Sequence, residues 1–422
     1  MFEPPCKKDI ILDNMYSILL HGVNHMGEKH KAEPASNIQN RLRSLRMGKG
    51  LSQAELAAKA GITRQAVYAI EANQYLPTTA VALRLAEALD RRVEDLFSLV
   101  ATGEAIEGDL VGPPPADAPG SPRVRVKVAK VGDRLVVRPV AELGDALCYA
   151  VAADGLIMGP REATRRQSRD RLKVRVRLLR DRSAIESEIA VAGCDPAVFL
   201  AGEHLRRRQG ETTVVGWTMG STAALEALKR QEVHVAGLHV VDARSGESNL
   251  PYLRRHLTGG GFTVVTFARW QQGLLVQRGN PKKIREVADL ARKEVMLVNR
   301  EMGAGARLLL DQRLSAAGVK ADQVRGYGRM VRSHLEVARL IAEGWADAGV
   351  GVEAAARLFG LDFIPWQEER YDLVMPTRYM TTHPGLSRLL DTIVSRPFRT
   401  EVEALGGYDT RETGKVRNLR EE

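Results

Sequence analysis

The stretch from Gly261 to Arg307 constrains what this chain can fold into more than any other. Residues 262–267 form a short β-branched and aromatic run and read as a strand. Residues 273–277 are a second apolar run, closed by Arg278-Gly279-Asn280-Pro281. Asn280 there is expected to cap a helix whose first turn takes Pro281, since proline lacks only a donor that is orphaned at that position. Residues 295–298 read as a buried strand, and Gly303-Ala304-Gly305 then opens another helix. The pattern is that of a chain finishing one α/β lobe, crossing over and beginning a second. Ligands of open α/β sheets lie beyond the carboxyl ends of the strands. Function is therefore expected in the cleft beside this crossing.

The rest of the chain is too long for one core: 422 residues predict two or three domains. Aromatic residues make up only 5%, too few for stacking platforms along single-stranded nucleic acid. The net charge of +10 suggests a polyanionic partner. Nearly all of it lies between residues 123 and 182, where 16 Lys+Arg face 7 Asp+Glu; this is either a solvated basic face or a phosphate-binding surface. The cysteines, Cys6, Cys148 and Cys194, are odd in number and scattered, giving neither a disulfide framework nor metal-ligand spacing. No apolar run reaches the roughly 18–20 residues that span a bilayer, and no secretion signal is visible, so a cytoplasmic protein is expected.

Residues 1–35 show no sustained period and read as a disordered tail. A helical pattern begins at Ser36, with Ile38, Leu42 and Leu45 on one face. Ser52 with Glu55 three residues on is a capping box, Gly61 makes a turn, and Thr63 and Thr78 cap two further helices. A short helix, a glycine turn and a second capped helix form the helix-turn-helix arrangement. Leu51-Ser52-Gln53, Leu56-Ala57, Gly61, Gln65, Val67, Ile70-Glu71 and Pro77 make residues 36–100 resemble the lambda-repressor/Cro-like (XRE) DNA-binding family. The resemblance implies an all-α head whose recognition helix, near residues 63–72, enters the major groove. Thr63, Arg64, Gln65 and Tyr68 would reach base edges or phosphates, and Gln53 would hold a phosphate.

Residues 101–122 hold clustered prolines and read as a linker. In 123–184 valines and leucines alternate with Arg and Lys, which predicts a small β-rich basic connecting module. From 185 to 408 strands and helices alternate, arguing a parallel sheet. An edge or hinge strand is expected at 371–375, and a loose tail over 409–422.

Ala192-Gly193-Cys194-Asp195-Pro196, Gly220-Ser221-Thr222, Arg278-Gly279-Asn280-Pro281, Gly303-Ala304-Gly305 and Leu361-Asp362-Phe363-Ile364-Pro365, in that order, resemble the type II periplasmic-binding-protein fold, in the cytoplasmic, molybdate-binding-like form found beside DNA-binding modules. The resemblance implies a two-lobed α/β domain with strand-to-helix loops at the cleft. Gly220, Ser221 and Thr222 would offer backbone amides and hydroxyls to an anion at a helix N-terminus. Gly303 and Gly305, with Arg307 behind them, would do the same from the opposite lobe. Asn299, Arg300, Tyr327, His334 and Asp347 are further candidates. Asp195 has a sufficient role as a helix cap before Pro196; should it face the cleft, the ligand carries an amine, hydroxyls or a metal.

These readings together predict a multidomain, one-component transcription regulator. It would bind double-stranded operator DNA as a homodimer and respond to a small effector, either an oxyanion such as molybdate or tungstate or a small polar metabolite. No cofactor, metal, catalytic residue or membrane is expected. One alternative is a DNA-binding protein whose two-lobed domain is a scaffold without ligand. Another is an enzyme like porphobilinogen deaminase, which shares the fold and carries a cofactor on cysteine; Cys194 is near the cleft, but no acid/base dyad is visible around it.

Overall fold

Three hydroxyl caps organise the N-terminal head: Ser52, Thr63 and Thr78 each accept a hydrogen bond from the backbone N–H three residues on. The computed structural model describes residues 38–99, 103–112, 124–143, 151–157, 172–209, 212–242, 244–257, 261–417 and 419. The tail at 1–35, Cys6, the prolines at 113–122 and Cys148 lie outside the described residues. Strand β1 (Ile38–Asn40) leads into helices α1 (Leu42–Gly48), α2 (Gln53–Ala60), α3 (Arg64–Glu71), α4 (Thr79–Leu89) and α5 (Val93–Leu96). Strand β2 (Phe97–Leu99) then returns antiparallel to β1. The helix expected from Ser36 is therefore a strand at 38–40, because backbone pairing with 97–99 decides a segment too short to be helical alone. Leu42, Leu56, Val67, Ile70, Leu85, Leu89 and Leu96 are fully buried in one core, each contributing on the order of 1.5–3 kcal/mol. Gly61 ends α2 at φ 62°, the left-handed turn that glycine tolerates best.

Next comes a closed barrel of β3 (Ala105–Leu110), β4 (Val124–Val131), β5 (Arg134–Pro139), β6 (Gly155–Ile157) and β7 (Leu172–Leu178), in the order β3-β5-β4-β6-β7. Residues 105–110, expected in a linker, are thus a barrel strand; Ile106 and Leu110 point into its core. Part of the basic excess turns inward to carboxylates. Arg134 and Lys173 reach Asp109 at 2.6 and 2.9 Å, and Lys127 reaches Asp154 and Glu188 at 2.6 and 3.3 Å.

Helix α6 (Arg182–Glu186) leads into the two-lobed domain. The first lobe contains β8 (Ile189–Gly193), α7 (Ala197–Gln209), β9 (Val214–Thr218), α8 (Ser221–Lys229), β10 (Val235–Leu238) and α9 (Leu250–His256). Strand β11 (Phe262–Val276) crosses into the second lobe. There lie β12 (Leu297–Arg300), α10 (Gly305–Ala316), β13 (Met330–Val331), α11 (His334–Ala342), β14 (Ala348–Val352) and α12 (Glu353–Leu358). Strand β15 (Asp362–Pro376) crosses back, and α13 (Tyr379–Thr382), α14 (Leu386–Val394), α15 (Arg396–Ala404), β16 (Tyr408–Asp409) and β17 (Val416–Arg417) complete the chain. The sheet runs β13-β12-β14-β11-β15-β10-β8-β9.

Two crossing strands define this domain. Each is 15 residues long, and they pair antiparallel from Phe262↔Pro376 to Val276↔Asp362. The two apolar runs at 262–267 and 273–277 are therefore one strand, as are 361–365 and 371–375. Polar residues in the middle divide each run in the sequence, yet hydrogen-bonded pairing continues through them, with irregularities at Thr266/Ala268 and Gln272/Gly273. No helix starts at Asn280. It has φ 43°, its side chain closes a loop on Ile284, and the next element is a 3₁₀ turn at Val287–Ala291. The expected loose tail is also partly ordered, since β16 and β17 both pair with β11. No helix among the described residues is long and apolar enough to cross a membrane.

Candidate functional site

The middle of the crossing strands forms the floor between the lobes. Trp270 and Gln272 on β11, and Glu369 and Tyr371 on β15, are polar or aromatic residues buried at this level. Loops at the strand ends complete the enclosure. Cys194 and Asp195 follow β8, Ser221 opens α8 and His239 follows β10, all in the first lobe. Gly305 opens α10 and His334 opens α11 in the second. Small residues let the pieces meet: a Cβ on Gly237 or Gly193 would overlap the Tyr371 hydroxyl, and one on Gly305 would lie 2.1 Å from the His239 carbonyl oxygen.

Hydrogen bonds fix part of the cluster. Asp195 Oδ1 accepts from the Ala197 N–H at 2.9 Å and from the Tyr408 hydroxyl at 2.8 Å. The Ser221 hydroxyl accepts from the His239 N–H at 3.1 Å. His239 Nδ1 lies 2.7 Å from Glu369 Oε2, and the Gln367 amide donates to Glu369 Oε1 at 2.6 Å. The Gln272 amide nitrogen, turned toward Glu369, donates to the same Oε1 at 2.7 Å.

Other atoms are left over. Asp195 Oδ2, His239 Nε2, Trp270 Nε1, Arg300 Nη1 and both ring nitrogens of His334 are buried with no hydrogen-bond partner among the described residues. A buried polar group without a partner costs about 1–3 kcal/mol. Six such atoms between two lobes mark a place built to hold something.

The electrostatics are correspondingly displaced. Burial pushes the Asp195 carboxyl up to about 6, although the Ala197 N–H and Tyr408 hydroxyl oppose it. For His239 burial favours the neutral ring, but Cys194 and Glu369 together outweigh it and raise the imidazole to about 10. Burial, then the Arg300 charge and His239, hold His334 well below the ordinary histidine value.

The residues expected at the cleft divide into three groups. Asp195, Ser221, Gly305 and His334 meet in the enclosed cluster, and the Arg300 charge bears on His334. Gly220, Thr222 and Gly303 form a seam where the lobes touch. The Thr222 hydroxyl and N–H both donate to the Gly303 carbonyl, at 3.0 and 3.3 Å, and a Cβ on Gly220 would lie 2.8 Å from Ala304 Cα. Asn299, Arg307, Tyr327 and Asp347 brace the second lobe internally. Asn299 donates to the Tyr327 carbonyl, Arg307 pairs with Asp311 beneath the Tyr327 ring, and Asp347 accepts from the Met296 N–H.

His239, Trp270, Glu369 and Tyr371 were not legible as site residues. His239 could have been found, since it stands at the carboxyl end of a strand. The structure also corrects the expectation that no acid/base pair stands near Cys194: His239 and Glu369 are beside it, brought from 45 and 175 residues away in sequence.

The candidate DNA-reading face is exposed. Thr63, Arg64, Gln65 and Tyr68 stand out along the start of α3, and the Thr63 hydroxyl accepts from the Ala66 N–H at 3.1 Å while keeping its own proton to donate. Gln53 is turned inward in part: its amide donates to Glu71 at 2.8 Å, and Arg46 holds the same carboxylate from the other side. That network fixes α3 against α1 and α2.

The chain matches the model of the PBP superfamily domain over residues 202–394 and that of the helix-turn-helix over 42–96. It is 35% identical over 228 residues to the uncharacterized protein YvgK of Bacillus subtilis, covering 54% of this chain and 73% of that one. It is 39% identical over 62 residues to the uncharacterized HTH-type transcriptional regulator YgzD of the same organism, 15% of this chain and 94% of that one. Among solved structures it is similar to the regulatory domain of MetR, a LysR family regulator from N. meningitidis, at 11% identity and a TM-score of 0.37, covering 53% of this chain and 98% of that one.

Proposed function

We propose that this chain, which belongs to the family of YvgK and joins its PBP-superfamily domain to a helix-turn-helix head, is a ligand-responsive regulator of transcription. The observation that carries this reading is the concentration of unpartnered buried polar atoms between the lobes, on the same chain as an exposed recognition helix. A small effector between the lobes would satisfy those atoms and favour the closed arrangement over an open one.

The donors Arg300, Trp270 and His334 and the acceptor Asp195 favour a small polar species that meets both kinds of group. A bare oxyanion such as molybdate or tungstate is the weaker version. The Gly220–Thr222 and Gly303 loops that would cradle it are spent on each other, and the Asp195 carboxylate would repel it.

Closure has a route to the barrel that follows the head in sequence. The barrel is tied to the first lobe by Arg138–Glu232 at 3.0 Å, by Arg134 donating to the Arg230 carbonyl and by His234 bonding the Lys130 carbonyl. A pocket of about 340 Å³ opens where the barrel meets both lobes, with Arg138, Trp217, Glu301 and Arg332 among its lining residues. Movement of the second lobe, which carries Glu301 and Arg332, would reshape that junction. A homodimer on a near-palindromic operator would convert the change into altered spacing of the heads.

Selection of duplexes from a random pool, followed by gel-shift titration with and without candidate effectors, tests the reading. Affinity no better than non-specific binding at every effector concentration would end it. Arg64→Ala is expected to weaken the selected duplex by about 1–3 kcal/mol, roughly 5- to 150-fold, if it makes a base contact. Because Arg64 is exposed, the melting temperature should stay unchanged. A structural scaffold would bind the selected duplex equally with and without every effector.

A further inference from the structure

We propose that Cys194, His239 and His334 bind a thiophilic transition-metal ion, Zn²⁺ or Cu⁺, that bridges the two lobes. This rests on the reading of the interlobe cluster as the effector site and adds an ion at its Cys194 end, beside the Trp270, Arg300 and Asp195 atoms that meet a small polar species. The Sγ of Cys194 and one ring nitrogen of each histidine lie within 4.8 Å of one another, and all three residues are buried. In a tetrahedral zinc site, bonds of about 2.3 Å to sulfur and 2.1 Å to nitrogen put those ligand atoms about 3.6 Å apart. A shift of at most about 1.2 Å between any two of them therefore completes the set.

The surroundings have the form that metal sites require. A ligating histidine donates its second N–H to a carboxylate, which fixes its tautomer and direction. His239 does this: Nδ1 is held by Glu369 at 2.7 Å, which leaves Nε2 with no hydrogen-bond partner among the described residues. Glu369 is itself held by Gln367 and Gln272, so the orienting carboxylate cannot swing away. His334 has no hydrogen-bond partner at either nitrogen among the described residues, so either can ligate. One sulfur and two imidazoles suit Zn²⁺ or Cu⁺ and disfavour Ca²⁺ or Mg²⁺, which take oxygen. On ligation the Cys194 thiol and the charged His239 ring, at Nε2, each give up a proton to solvent as the sulfur–metal and nitrogen–metal bonds form, with no change of oxidation state.

The ligands come from both sides of the cleft. Cys194 and His239 end strands of the first lobe, and His334 opens a helix of the second. An ion here would hold the lobes in the arrangement that Gly305 and the Thr222–Gly303 seam allow.

The test uses the full chain, freed of metal with a chelator under reducing conditions. Co²⁺ serves as a spectroscopic substitute for Zn²⁺, and a chromophoric competitor reports Zn²⁺ and Cu⁺. One equivalent is expected to bind, with a thiolate-to-cobalt charge-transfer band. Cys194→Ser and His334→Ala should abolish the band, and Glu369→Gln should weaken affinity 10- to 100-fold. Melting curves of the metal-free variants check that each is folded. Should a variant be unfolded, Cys194→Ala and His334→Gln replace it. No stoichiometric binding of any of the three ions, or unchanged affinity in folded Cys194 variants, overturns the assignment. Operator binding is scored in the same samples. If a metal-free small molecule shifts it while no ion binds, the regulator reading stands and the metal site falls. If an ion binds through Cys194 and operator binding does not respond, the site stands and the effector reading falls.

Discussion

Gly305→Val is expected to hold the two lobes apart and remove the response to effector while leaving operator binding intact. Gly305 opens α10 at the point where the second lobe presses on the first. A Cβ there would lie 2.1 Å from the His239 carbonyl oxygen and 2.6 Å from the His239 ring. That backbone cannot step aside as a flexible side chain could, because the His239 N–H is bonded to Ser221 Oγ and its ring is held by Glu369. Ordinary overpacking costs about 1–3 kcal/mol, and valine adds two further methyl carbons to a contact already below van der Waals distance. A cost of roughly 3 kcal/mol on the closed state alone would lower effector affinity more than 100-fold. Small-angle scattering should show a larger radius for the variant than for the parent chain, and effector should no longer raise its melting temperature. Gly328→Ala is the control, because a Cβ there meets nothing within 4 Å. A variant that closes and responds like the parent would show that the lobes do not work through this contact.

Why the sequence disclosed the domains more readily than the site is visible in individual residues. Ser52, Gly61 and Thr63 signal their turns and caps locally, within three or four residues, so the head could be read directly. The crossing between lobes was legible as apolar runs, but its continuity was not. Arg269-Trp270-Gln271-Gln272 looks like an interruption until Glu369 and Gln367 are opposite it. The cleft is assembled from contacts more distant still. His239 meets Glu369 over 130 positions and Asp195 meets Tyr408 over 213, and no local period reports either pair. Asn280 failed for a related reason. Asn before Pro is a helix start only if the following residues can turn, and here the asparagine side chain closes on Ile284 first. The barrel strand at 105–110 was obscured by its brevity and by Asp109, whose partners Arg134 and Lys173 lie further along the chain.

Acid is expected to loosen the joint between barrel and first lobe, and His234 should account for most of the effect. Its ring spans the joint: Nδ1 accepts from the Ala190 N–H at 2.9 Å, and Nε2 lies 2.8 Å from the Lys130 carbonyl, which it meets as a donor. The Ala190 bond needs the neutral ring, because a protonated Nδ1 has no lone pair left to accept with, whereas Nε2–H donates to Lys130 in either form. Burial, and then the neighbouring His383, hold its pKa down to about 3 from an ordinary 6.5. A histidine depressed in the folded state contributes stability that is fully present above 6.5, declines as pH falls below it and is exhausted as pH passes about 3. The displacement corresponds to roughly 4–5 kcal/mol when complete. The groups facing this ring are His383, itself lowered by burial and meeting it edge-on at 4.4 Å between centroids, and Tyr379 at 5.4 Å. Glu188, whose carbonyl binds His383, is raised chiefly by burial, so acid favours its folded form and works in the opposite direction. Comparison with His234→Gln separates these contributions, because the amide can accept from Ala190 and donate to Lys130 without ever taking a charge. Thermal melts from pH 7 to 4 should fall steeply for the parent chain and more gently for His234→Gln, with the curves converging near neutrality. Parallel curves would mean that the acid-sensitive group lies elsewhere in the joint, with His383 the next residue to replace.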